Sequence, residues 1–138
     1  MVVSVTLQNG QTKLVLDDNT NDVVRCLYQR RGSSGTSTLH LGDNSNYVVP
    51  ASKKFIGNYL YVQAPEGGNT EFILWDSAST DSASGTRLIA DGFRLLNSAQ
   101  TVCEFPLSFE VSAGRYINYQ EADAGTSAIT LIGVETDA

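Results

Sequence analysis

The sequence predicts an all-β protein: an antiparallel β-sandwich or jelly-roll-like barrel, in one domain over residues 1–138. Three observations carry that expectation. Apolar residues recur with a period of two, the period of side chains on a half-buried strand. Turn residues interrupt them at short intervals, often near ten residues, the cadence of sandwiches and barrels. No segment holds a 3.6-residue period over three turns. Parallel strands need long crossovers, usually helical, so the sheets should be antiparallel.

The elements follow in order. Val3, Val5 and Leu7 alternate with Ser4, Thr6 and Gln8. Leu14 and Leu16 alternate with Lys13 and Asp17. Between the two lies Asn9-Gly10, the strongest short hairpin cue. Val24, Cys26 and Tyr28 alternate with Arg25, Leu27 and Gln29. Further strand-like runs, rich in Val, Ile, Leu, Tyr, Phe and Thr, are 38–41, 46–49, 55–64, 70–76, 86–90, 93–96, 100–105, 107–111, 114–120 and 127–134. Turn signals separate them: Asp17-Asp18-Asn19, Gly32-Ser33-Ser34-Gly35, Gly42-Asp43-Asn44, Pro65-Glu66-Gly67-Gly68, Asp91-Gly92 and Ala113-Gly114. The most linker-like stretch is 77–85, but similar strands flank it, so it reads as a loop within one domain. The tail is expected to dock as a strand over 127–134, with the last few residues loose.

Composition bounds the function. A chain of 138 residues can bury one core without staples. With 41% hydrophobic and 17% charged residues it does not fit the low-hydrophobicity, high-charge profile of disorder. The net charge is −6, and the nine basic residues are scattered, with Arg30-Arg31 and Lys53-Lys54 the only pairs. Such a chain is repelled by phosphate backbones, so no nucleic-acid partner is expected. No apolar run approaches a membrane helix, and Met-Val-Val-Ser-Val-Thr has neither a basic n-region nor a continuous apolar h-region. The expectation is a soluble protein with no membrane partner, made in the cytoplasm of whatever cell makes it.

Residue chemistry points away from catalysis. The single histidine, His40, alternates with Leu39 and Leu41 and reads as a surface residue. No serine sits in a Gly-x-Ser-x-Gly elbow, and one histidine with two cysteines assembles no conventional zinc site. Asp17-Asp18-Asn19 and Asp43-Asn44-Ser45-Asn46 carry oxygen ligands but lack the closing glutamate of an EF-hand loop, and Asp and Asn are ordinary turn residues. Glu71 and Asp76 fall on opposite faces of one strand by parity, and Glu104 and Glu110 lie on separate segments. Gly32-Ser33-Ser34-Gly35 lacks the Lys-Ser/Thr ending of a P-loop. No catalytic residue, metal or cofactor is expected. Cys26 and Cys103 read as buried small hydrophobes with free thiols. Tyr59, Tyr61, Trp75, Tyr116 and Tyr119 read as core. Because Tyr59 and Tyr61 share a strand face, a carbohydrate- or receptor-binding module is the alternative reading.

One region has a distinctive order. A strand ends in Ile73-Leu74-Trp75-Asp76, and a loop of Ser, Ala, Thr and Gly follows to Gly85. A short strand carries Leu88-Ile89; then come Phe105-Pro106-Leu107 and Val111-Ser112-Ala113-Gly114-Arg115-Tyr116-Ile117. This order resembles small β-sandwich proteins of tailed-bacteriophage virions, the capsid decoration or cement proteins. In the usual pattern an apolar residue separates the glycine from the tyrosine; Arg115 stands there instead. The resemblance implies a non-enzymatic protein of the virion, on the capsid surface. Its partner would be the major capsid protein, whose neighbouring subunits it bridges, often as a homotrimer. The loop before Gly85 would then be soluble and adaptable, its backbone groups free for a partner. An extended N-terminal strand and the C-terminal tail are the expected contacts between subunits: Val2, Val3, Val5 and Leu7 on one, Val134 and Glu135 on the other.

Overall fold

The computed structural model describes residues 2–6, 10, 12–16, 22–64, 70–89, 93–95, 101–122 and 126–138. Among them there is no helix, and eleven strands follow one another. The first two are β1 (Val2–Thr6) and β2 (Thr12–Leu16). Then come β3 (Val23–Arg31), β4 (Gly35–Thr38), β5 (Lys53–Ala64) and β6 (Thr70–Ser77). β7 (Thr86–Arg87) and β8 (Phe93–Leu95) are short; β9 (Thr101–Ser112), β10 (Tyr116–Glu121) and β11 (Ser127–Asp137) complete the chain.

Every pairing is antiparallel, as the short connections require. One sheet has the order β3-β11-β5-β9; the other runs β4-β10-β6-β7, with β8 also on β6. β1 and β2 form a third, two-stranded sheet of their own. The two larger sheets share one core. Leu27, Phe55, Leu60, Val62, Ile129 and Leu131 enter it from the first, and Phe72, Leu74, Ile117 and Tyr119 from the second. Leu39, Tyr47 and Val49 fill it from the segment between β4 and β5. That segment also stitches the sheets along one side. Tyr28 and His40 exchange backbone bonds, Leu39 N–H donates to Ile117, and Val49 N–H donates to Arg115. The sandwich is therefore closed on this side in the manner of a barrel.

Four local expectations change. The runs 100–105 and 107–111 are one strand, β9, which passes through Pro106. Proline has no N–H for the ladder, and an edge strand is where that is tolerated. β11 continues past Val134 to Asp137, and Ala138 N–H donates to Ser52, so the described tail is docked to its end. Residues 46–49 make isolated bridges at Asn46 and Val48 rather than a strand.

The fourth change concerns β3, whose face is inverted. Leu27 is fully buried, whereas Val24 and Cys26 are exposed. Both faces of this strand carry apolar residues, so alternation alone does not say which one packs. The inner polar neighbours are accommodated by partners at the rim. Arg25 pairs with Glu135, and Gln29 Nε2 donates to the Thr38 carbonyl at 2.8 Å. Cys26 is thus a free, exposed thiol rather than a buried one. Cys103 lies on the far edge strand, three strand spacings away, on the order of 14 Å. A disulfide spans Cα atoms less than about 7 Å apart, so the two cannot join within one chain.

Candidate binding face

The outer face of β3-β11-β5-β9 is laid out by its register. Val24, Val134 and Ile56 form one rung. Cys26, Ile132, Tyr59 and Pro106 form the next, and Tyr28, Thr130, Tyr61 and Glu104 the third. Tyr59 and Tyr61 keep this face because the register of β5 shifts between Gly57 and Tyr59. Against β11, Asn58 is the extra residue, since Gly57 pairs with Gly133 and Tyr59 with Ile132, and an extra residue resets which side chains point outward. The strand packs tightly there: a Cβ at Gly57 would collide with the Phe109 ring.

Tyrosines expected in the core stand on this face. Tyr59 and Tyr61 are half-buried, and Tyr28 joins them two strands away. The Tyr59 hydroxyl donates to Glu104 Oε2 at 2.6 Å, and that bond raises the phenol above its ordinary value. Tyr28 donates to Asn44 Oδ1, with its ring edge-on to His40 at 6.1 Å between centroids. Trp75 and Tyr116 are also half-buried; of the five expected core aromatics, only Tyr119 is fully enclosed. Tyr47 is the other core tyrosine. Its signal lay in the alternation of Tyr47 and Val49 with Asn46 and Val48.

The Ser/Ala/Thr/Gly loop at 77–85 is tied to the sandwich at Ser79, Asp81 and Ser82. Asn118, fully buried on β10, donates from Nδ2 to the carbonyls of Ser79 and Ser82, each at 2.9 Å. Its Oδ1 accepts from Thr38 Oγ1 at 2.9 Å. Asp81 N–H donates back to Thr38 Oγ1 at 3.0 Å, and Asp81 Oδ1 accepts from Thr38 N–H at 2.9 Å. Gly85 has φ +112°, and a Cβ there would collide with the Asp76 carbonyl. These carbonyls are engaged inside the chain, which corrects the expectation of backbone groups left for a partner. Beside the loop, Arg115 Nε donates to Asp76 Oδ1 at 2.6 Å and Nη2 to the Asp76 carbonyl at 3.1 Å. The residue that departs from the decoration-protein pattern thus closes on the aspartate that belongs to it.

The candidate contact residues separate into two groups. Val2, Val3 and Val5 lie on β1, paired to Leu16, Val15 and Lys13 of β2. Leu7 lies outside the described residues. Val134 and Glu135 are 5% and 4% exposed. Glu135 accepts from Arg25 Nε at 3.0 Å and from the Tyr47 hydroxyl at 3.1 Å. Burial first, and then the Glu135 charge, push the Tyr47 phenol up. This end of the tail is therefore part of the fold and offers little surface to a neighbour.

The comparisons with known proteins add little to this geometry. No protein family matches the chain, and no curated protein does. Among solved structures it is similar to one of infectious bursal disease virus, Gt strain, at 10% identity and a TM-score of 0.43. That match covers 96% of this chain and 37% of the other, so the chain spans little more than a third of that neighbour's length. A likeness this distant transfers no function.

The remaining polar clusters serve the fold. Glu121, buried at the end of β10, accepts from the Tyr119 and Ser127 hydroxyls and from Glu71 N–H. It fastens the corner where the chain passes from one sheet to the other. His40 Nε2 lies 3.3 Å from Gln29 Nε2, which places this histidine in the seam between sheets. Asp43 Oδ1 accepts from the Ser45 hydroxyl and N–H, a turn lock that holds its carboxyl below the ordinary value. Residues 17–19, the other acidic turn, lie outside the described residues. Among the described residues, no three His, Cys, Asp or Glu side chains gather as metal ligands.

Proposed function

We propose that this chain is a non-enzymatic structural protein of a phage virion, bound to the outer capsid surface and bridging neighbouring capsid subunits. The observation that carries this reading is the β1–β2 hairpin, a sheet separate from both layers of the sandwich. A two-stranded ribbon alone is marginal in water. Its register sets Val2, Leu14 and Leu16 at positions of one face, and Val3, Val5 and Val15 at positions of the other. A ribbon can lay only one face on its own sandwich. The other face is suited to a second protein, here the major capsid protein. The resemblance over residues 70–120 supports the same reading. Linked arms on one oligomer would reach several subunits at once and raise avidity.

The test is co-sedimentation with empty tailed-phage capsids. The full chain should pellet with capsids, and a chain lacking residues 1–16 should stay in the supernatant with an unchanged circular dichroism spectrum. Equal binding by both chains would remove the arm from the mechanism, and failure of the full chain to pellet would overturn the reading. The three tyrosines on one sheet face favour a second reading, a carbohydrate- or receptor-binding module. Flat rings with carboxylate and hydroxyl neighbours suit stacking on a sugar. A glycan-array signal lost in Tyr61→Ala would favour it over the capsid.

A further inference from the structure

β3 is an edge strand, and half of its free edge meets no partner among the described residues. Tyr28 exchanges both backbone bonds with His40, N–H to carbonyl at 3.1 Å and 2.8 Å. In an antiparallel strand these groups alternate sides, so Cys26 and Val24 direct theirs the same way, away from β11. There, among the described residues, neither meets a backbone partner. The same stretch carries the largest apolar exposure. Val24 is 54% exposed, and Val23 and Ile132 are 37% exposed each. Ile132 stands beside Cys26 in the register. Of the large hydrophobics exposed among the described residues, only Val48 lies elsewhere. Residues 23–27 carry no lysine, proline or bulge, and their one charge, the inward Arg25, is neutralised by Glu135 of the same chain.

We propose that a second copy of this chain docks here, β3 against β3, antiparallel about a two-fold axis at Arg25. Val24 of one copy then faces Cys26 of the other, and the two four-stranded sheets become one of eight. Several features select a second copy over an unrelated strand. The bare window is three residues long and ends where His40 occupies Tyr28, so a long peptide would run into the seam. A two-fold at Arg25 matches this window to itself and uses the outward N–H and carbonyl of both Val24 and Cys26. It also sets Val24 of each copy opposite Cys26 of the other, with Ile132 beside Cys26 on the same face, so that the apolar patches of the two copies run together. The two Arg25 side chains nearest the axis are each paired with Glu135 of their own chain, which relieves like-charge repulsion. Such self-complementary contacts are the commonest way soluble chains associate.

The experiment is light scattering on the full chain, with two edge variants and one cross-linking variant. The wild type should show twice the chain mass. Val24→Pro removes an N–H that points away from the sheet, so the fold should tolerate it while the dimer should not. Val24→Lys adds a charge at the contact. Both should be monomers with wild-type circular dichroism spectra. Val24→Cys, with native Cys26, should give disulfide-linked dimers under mild oxidation, and the same variant with Cys26→Ser should not. Within one strand, residues two apart hold their Cβ atoms too far apart to bond, so the linked species reports the second copy. A wild-type monomer at all concentrations would overturn the proposal. So would an assembly that survives Val24→Pro and Val24→Lys, or a dimer that Val24→Cys fails to link.

Discussion

At one edge of the four-stranded sheet, β9 shows water Glu104, Pro106, Ser108 and Glu110. At the other, β3 shows Val23, Val24 and Cys26. Both are long strands with one ladder neighbour among the described residues, so both present an outer row of backbone groups. β9 is guarded by a residue without an N–H, by a Lys54–Glu110 ion pair at 3.3 Å, and by the register shift at Gly57. Among the described residues, β3 is covered only at Tyr28, by His40. A chain that protects one edge of a sheet and leaves the other apolar is organised for association at the second.

The predictions sharpen that contrast, beginning with the largest effect. Leu27→Ala removes the one side chain that anchors the window of β3 in the core, and should cost about 2–5 kcal/mol in denaturant unfolding. At the guarded edge, Gly57→Ala forces a methyl group into the Phe109 ring, and should cost about 1–3 kcal/mol by the same measurement. Glu135→Gln weakens what holds Arg25 inward. With Arg25 one-third exposed, about 1 kcal/mol is expected, together with a weaker dimer from the unneutralised arginines.

A pH titration comes next. Tyr47 is raised in the folded chain, so its contribution is complete below the ordinary tyrosine value of about 10 and is lost as pH rises beyond it. Thermal midpoints should therefore fall above about pH 10, with a shallower fall in Tyr47→Phe, because Tyr119 is raised as well, by burial. The smallest change in stability, within about 0.5 kcal/mol, is expected for Glu104→Val with Pro106→Val. Light scattering should nevertheless show larger assemblies, because the second edge would then be open. An unchanged mass would mean that β9 is guarded by its shape rather than by these residues.

Much of this architecture was legible in residue order. Alternation in Val3-Ser4-Val5 and around Asn9-Gly10 marked the first hairpin, which the structure pairs from Val2↔Leu16 to Thr6↔Thr12. The turn at Gly114 fell where expected, between β9 and β10. Strand period and turn chemistry are local properties, set within a few residues, so a single sequence carries them. That predicted an all-β, antiparallel fold, which the structure shows, and it supplied the resemblance over residues 70–120.

Tertiary structure decided whatever depended on distant partners. Whether Val24 or Leu27 faces the core turned on Glu135 and Thr38, which accept from Arg25 and Gln29. The loop at 77–85 looked free because nothing near it in sequence engages its carbonyls; Asn118, more than thirty residues away, does so. Tyr59 and Tyr61 looked like core because rings usually are, yet one bulge at Asn58 sets them outward. Which face of a strand is buried, and which edge is left open, depend on the neighbours a strand acquires only when the sheets assemble.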